Sequence, residues 1–176
     1  MIETAIELRR RRPELNFVLP TPRQRIKNSI EEILDKMNID TSFVKVECGN
    51  TVEWMKRATA GIAASGTVTV QAAIVGLPLI STYRLNALTY IIAKNLVKIP
   101  FFTMPKVIAG REVYKEFLQG NVCAAKLAPA LEAILPGGTR REEVEQGMAE
   151  VIEKLGGRQG ALKRTAEVIL ETIQTK

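Results

Sequence analysis

The chain has 176 residues, 46% hydrophobic and 25% charged, with a net charge of +6, enough for one ordinary core. It contains no histidine, which removes Ser-His and Cys-His nucleophile pairs and most zinc sites and leaves any acid–base chemistry to carboxylates, lysine or tyrosine. No segment approaches the roughly 20 uncharged apolar residues of a membrane span, residues 1–12 lack the order of a signal peptide, and Cys48 and Cys123 fit no metal or redox spacing, so a cytoplasmic domain with reduced, buried cysteines is expected.

Residues 2–12 read as a helix ending before Pro13, and 15–20 (LNFVLP) as a strand. Thr21-Pro22-Arg23-Gln24 has capping-box spacing with proline at the first helical position. Ile26, Ile30, Ile33, Leu34 and Met37 follow at the helical period, predicting a helix with one buried stripe. A strand at 42–48, a short helix at 51–58 and a strand at 61–65 come next.

Ser65-Gly66-Thr67 then leads straight into an apolar helix at 67–76. The first N–H groups of a helix lack intrahelical partners and the helix dipole places partial positive charge at the same end, so an anion fits there. Gly66 allows close approach to the backbone, while Ser65 and Thr67 supply hydroxyls that can face a ligand or cap the helix. The same turn is equally the ordinary capped start of a helix in any α/β protein.

A nearly continuous apolar strand follows at 77–82, then an apolar helix at 87–98 and a strand at 100–104. The end of the chain is helical. One helix covers 124–135; Thr139 and Glu142 form a second capping box before Val144, Met148, Val151, Ile152 and Leu155, and Gly156-Gly157 stops that helix. Leu162, Ala166, Ile169, Leu170 and Ile173 repeat the spacing in a last helix at 160–174. The alternation predicts a Rossmann-like, doubly wound parallel sheet with right-handed crossovers, whose ligands bind beyond the carboxyl ends of the strands, near 65–67.

Charge is uneven along the chain. Residues 61–130 hold seven Lys plus Arg against two Asp plus Glu, whereas 1–60 hold 11 against 9 and 131–176 hold 7 against 8. A field of that sign attracts an anionic small molecule, a nucleic acid or an anionic membrane, and is also what a solvated basic face looks like. Arg9-Arg10-Arg11-Arg12 could touch acidic lipid or nucleic acid, or simply complement the helix dipole. Residues 85–102 are apolar with interspersed lysines, which fits either an interfacial surface or a core helix with snorkelling lysines.

Several elements recur in order over 65–121: SGT before the helix, GLP, Tyr83-Arg84, LTY with AK, LVK-x-P and AGRE. This stretch closely resembles the donor-binding half of the lipid-A-disaccharide synthase family of GT-B glycosyltransferases, and the flanks fit more loosely across the whole chain. The resemblance implies metal-independent, inverting transfer of a diacylglucosamine unit from UDP-2,3-diacylglucosamine to 2,3-diacylglucosamine 1-phosphate. Ser65, Gly66 and Thr67 would face the diphosphate, and Gln71 stands where many members carry a glutamate for the ribose hydroxyls. Tyr83, Arg84, Gly110, Arg111 and Glu112 would belong to the donor site, with packing and Arg111–Glu112 pairing as the structural alternative. Lys106 stands where the family usually has asparagine and could hold a phosphate oxygen as a point charge.

By the same resemblance residues 1–176 form a single UDP-sugar-binding domain, with 139–176 as a helical C-terminal extension. The lipid acceptor, the general base and a glycine-serine-arginine turn would belong to an N-terminal half that this sequence lacks. No catalytic residue and no cofactor are therefore expected here. A homo-oligomer or a second chain would complete the site, with peripheral contact at the inner face of the inner membrane. Two alternatives stay open: another UDP-sugar enzyme half of this architecture, or a non-catalytic basic module. Nucleic acid is disfavoured as a partner because 61–130 interleaves few aromatics with its basic residues.

Overall fold

Parallel strands alternate with helices in the computed structural model, which describes residues 1–86, 103–157 and 160–174. Helix α1 (Ile2–Arg11) leads to β1 (Phe17–Thr21), α2 (Gln24–Lys36), β2 (Val44–Cys48), α3 (Thr51–Arg57) and β3 (Gly61–Ala64). Then come α4 (Thr67–Val75), β4 (Leu79–Tyr83), α5 (Met104–Ala109), β5 (Glu116–Leu118) and a 3-10 turn at Gln119–Asn121. Helices α6 (Ala124–Glu132), α7 (Arg141–Lys154) and α8 (Ala161–Gln174) follow.

The α/β class and the parallel sense are as the alternation predicts, but the described strands form two sheets instead of one. β1 pairs with β2, and β3, β4 and β5 pair in that order, every pairing parallel. One apolar cluster nevertheless joins them, because Leu15 and Phe17 pack against the core built by Leu8, Leu79, Ile80, Leu127, Val144 and Val151. Leu79, Ile80, Ser81 and Thr82 of β4 are all buried, as expected of a central strand covered on both faces. Gly147, in the middle of α7, lets that helix press close to the chain before β5: a Cβ there would lie 3.0 Å from Val113 Cγ1.

Several local expectations give way to tertiary demands. Thr21 does not cap α2; it is the last residue of β1, and its Oγ1 donates to Glu47 O at 3.1 Å, so α2 begins at Gln24 beyond Pro22. Thr139 likewise caps nothing, since α7 starts after Arg140 with no side-chain cap. The α2 stripe is only partly covered: Leu34 is buried while Ile26 and Ile33 are exposed. In α8, Val168, Ile169, Leu170 and Ile173 are all exposed as well. Cys48 and Cys123 are half-buried free thiols, not fully buried ones. The helix expected at 87–98 and most of the strand expected at 100–104 fall outside the described residues; Thr103 and Met104 are the cap and first residue of α5.

Tyr114 sits in the centre of the core with no exposure, and its hydroxyl has no hydrogen-bond partner among the described residues. Burial pushes the phenol above its ordinary value of 10.0. Tyr114→Phe removes a buried, unpaired polar group and should therefore raise unfolding free energy by about 1 kcal/mol, read from urea titrations. The sign of the pH effect follows from the raised value: the unfolded chain loses the phenolic proton above about pH 10 while the folded chain retains it. Wild-type stability should fall as pH rises through that region, and the phenylalanine variant should lack this contribution.

Candidate functional site

Because the strands are parallel, the carboxyl ends of β3, β4 and β5 lie along one edge, and the chain leaves β3 there through Ser65 and Gly66 into α4. Ser65 N–H donates to Thr82 O at 3.1 Å, tying the turn to the neighbouring strand. Gly66 is the N-cap residue, with φ 155° and ψ −166°, a region open essentially to glycine alone. A Cβ at this position would meet nothing within 4 Å among the described residues beyond its chain neighbours, so the space before the turn is open.

Gly66, the N-cap residue, offers no side chain to cap α4. Thr69 fixes the turn from within the helix. Fully buried, it sends its N–H (3.1 Å) and its Oγ1 (2.6 Å) to Gly66 O. Both bonds fix the turn carbonyl and hold the start of α4 toward the open space, where oriented N–H groups and the helix dipole favour an anion. Thr67 and Gln71, four residues apart and both exposed, share one face of α4.

Tyr83 ends β4 opposite Leu118 of β5, and Arg84 follows it at the same edge. Both are exposed, and no ion pair holds Arg84 among the described residues. Lys106 is differently placed. Its Nζ lies 3.4 Å from Glu116 Oε2, and the two side chains are 18% and 8% exposed. Glu116 Oε1 also accepts from Thr103 N–H (3.0 Å) and Thr103 Oγ1 (2.7 Å), so a protein carboxylate already occupies the N-terminal end of α5. The basic character of Lys106 is spent on this buried cluster, which composition and spacing gave no means of finding because the partners lie 10 and 13 residues apart.

Gly110, Arg111 and Glu112 precede β5 and lie toward the opposite, amino-terminal end of the sheet. Arg111 donates to Glu150 of α7 at 2.9 Å, and Glu112 accepts from Arg140 at 3.3 Å. The adjoining Arg141 donates to Thr59 O just before β3, which fixes this corner at the amino end. The structure thus brings Ser65, Gly66, Thr67, Gln71, Tyr83 and Arg84 to one edge, with Lys106 beside Glu116 and the 110–112 turn elsewhere.

The arginine tetrad at the end of α1 is engaged within the chain. Arg9 donates to Leu15 O and lies over the Phe43 ring at 5.5 Å. Arg10 and Arg11 bond Glu7, whose carboxyl they hold below its ordinary value, and Arg12 bonds Glu14 at 2.8 Å. All four guanidiniums therefore have partners within the chain.

A family model described as lipid-A-disaccharide synthetase matches residues 1–171. The chain is similar to lipid-A-disaccharide synthase of Solibacter usitatus, 40% identical over 133 residues, covering 76% of this chain and 35% of that protein. Lipid-A-disaccharide synthases of Geobacter sulfurreducens (30% identical) and Myxococcus xanthus (31%) each match over 173 residues, 98% of this chain and 44% of theirs. The chain therefore spans under half the length of these relatives.

Proposed function

The chain belongs to the lipid-A-disaccharide synthetase family, and on that premise we propose that it is the donor-binding half of such an enzyme, holding UDP-2,3-diacylglucosamine. The observation that carries this reading is the open turn at Ser65-Gly66-Thr67, which starts α4 at the carboxyl edge where Arg84 stands without an ion pair among the described residues.

The chemistry follows from that charge arrangement. In an inverting displacement the acceptor hydroxyl of 2,3-diacylglucosamine 1-phosphate attacks the anomeric carbon and the bond to UDP breaks, so negative charge grows on the departing diphosphate. Backbone N–H groups of the turn, the hydroxyls of Ser65 and Thr67 and the Arg84 guanidinium would stabilise that charge, more in the transition state than in the ground state. Gln71, one turn along α4, would accept from a ribose hydroxyl, a neutral counterpart to the charged acceptor of a glutamate. Tyr83 would line the same edge. Acceptor binding and proton removal are assigned to the part of the relatives' length that this chain does not match.

No helix among the described residues is long and apolar enough to cross a membrane. We place the assembled enzyme peripherally at the inner face of the inner membrane, where both lipid substrates are reached. The exposed stripe Val168, Ile169, Leu170 and Ile173 of α8 is offered to the acceptor-binding half or a second copy of the chain. A nucleic-acid role draws less support from the arginine tetrad, whose guanidiniums all have partners within the chain.

Calorimetric titration of the chain with UDP tests the reading. Saturable binding is expected, and Ser65→Ala combined with Arg84→Ala should weaken it by about tenfold or more, since hydrogen bonds to a charged group contribute roughly 1.5–3 kcal/mol each. A folded wild-type chain that gives no heat with UDP would remove the donor reading.

A further inference from the structure

Backbone pairing between β4 and β5 stops at Tyr83 and Leu118. It stops because Gln119 takes a left-handed backbone, φ 49°, and the chain turns away through the 3-10 turn at Gln119–Asn121. Beyond Tyr83 the exit of β4 would then have no neighbour on that side. The Gln119 side chain supplies one: Leu85 N–H donates to its Oε1 at 2.9 Å, and its Nε2 donates to Leu85 O at 3.2 Å.

A side-chain amide carries one donor and one acceptor in the same relative geometry as a peptide group, so this pair of bonds reproduces a strand rung. The rung grips Leu85 on both of its backbone groups. Arg84 lies between this clamp and the last true rung at Tyr83, and is thereby held in line with β4. Both bonds are partly buried, where they compete with water less than exposed ones would.

We infer that Gln119 is a positioning residue of the donor site, its amide extending β4 past its backbone pairing so that Arg84 is held toward the open turn at Gly66. This inference rests on the donor reading above, because it assigns Gln119 an effect on anion binding and not only on the local fold. Gln119 makes no claim to touch the ligand itself.

Gln119→Gly is the informative variant. Glycine adopts a positive φ without strain, so the substitution removes the amide while leaving the turn backbone at ease. Far-UV circular dichroism is expected to match the wild type, and UDP should bind about fivefold to tenfold more weakly. Removing Arg84 should then cost less in the Gln119→Gly background than in the wild type, the non-additivity expected of two residues acting as a unit. Gln119→Glu is the second variant: it keeps the acceptor for Leu85 N–H but sets a carboxylate oxygen against Leu85 O, and should lose affinity in the same direction. Hydrogen exchange at the Leu85 amide should speed up in Gln119→Gly.

UDP affinity within twofold of wild type in both variants would overturn the inference and leave the donor reading standing. So would a weakened affinity strictly additive with Arg84→Ala, since Gln119 would then act by another route. Failure of the folded wild type to bind UDP overturns both readings at once, which the wild-type titration alone distinguishes.

Discussion

Replacing Glu116 by alanine is expected to lower unfolding free energy by about 3 kcal/mol, measured by urea unfolding, because it strips a buried cluster of the carboxylate that Thr103 and Lys106 both meet. Thr103 is fully buried and directs both its N–H and its hydroxyl at Glu116 Oε1. Alanine would leave both donors without that acceptor, and would leave Lys106, only 18% exposed, without this counter-charge. Breaking one side of such an arrangement costs more than the pair contributes, since the survivors keep their desolvation penalty. Glu116→Gln retains a carbonyl oxygen for Thr103 and gives up only the charge, so its loss should be nearer to about 1 kcal/mol. The same glutamine variant sorts the role of Lys106. If that lysine meets a phosphate oxygen, relieving it of Glu116 should tighten UDP binding; unchanged affinity marks it as a structural counter-ion.

The strand–helix alternation was legible because it is written in local periodicity. β4 announces itself by an apolar run, α4 by the small-residue turn before it, and the stop of α7 by Gly156-Gly157. Most of what failed involved a choice between a local partner and a distant one. Thr21 had the spacing to cap α2 but bonds Glu47 O, 26 residues away, because it lies at the end of a paired strand. Arg111 and Glu112 adjoin in sequence, yet each bonds a residue of the α7 region instead of its neighbour's side chain. Ile26 and Ile33 have helical spacing, but spacing says which residues share a face and nothing of whether that face is covered. At the site, the anion-type turn could be read from Ser65-Gly66-Thr67, whereas Thr69 and Gln119, which shape its surroundings, could not be singled out. Threonine three residues into a helix is commonplace, and the grip of Gln119 on Leu85 spans 34 residues.

Gly66→Ala should damage binding more than folding, and the ratio of the two effects locates the ligand. The conformation at Gly66, φ 155° and ψ −166°, is one that side chains avoid, so an L residue there costs about 1–3 kcal/mol if the turn keeps its shape. Beyond its chain neighbours, no atom of the described residues lies within 4 Å of the added Cβ, so no clash among them adds to that strain. Gly147 offers the contrast, because its Cβ would press on Val113 Cγ1 at 3.0 Å inside the core and act on folding alone. At Gly66 the methyl group would project into the open space before α4, or the turn would relax and swing its N–H groups out of line. Either way an anion seated on those groups loses close approach to the backbone. UDP affinity is therefore expected to fall by more than about tenfold, beyond what a stability loss of that size produces in a chain that remains folded. Urea unfolding and calorimetric titration of the same preparation give both quantities. A Gly66→Ala chain destabilised as expected, yet binding UDP like the wild type, would place the nucleotide away from this turn, and the roles given to Ser65 and Thr67 would fall with it.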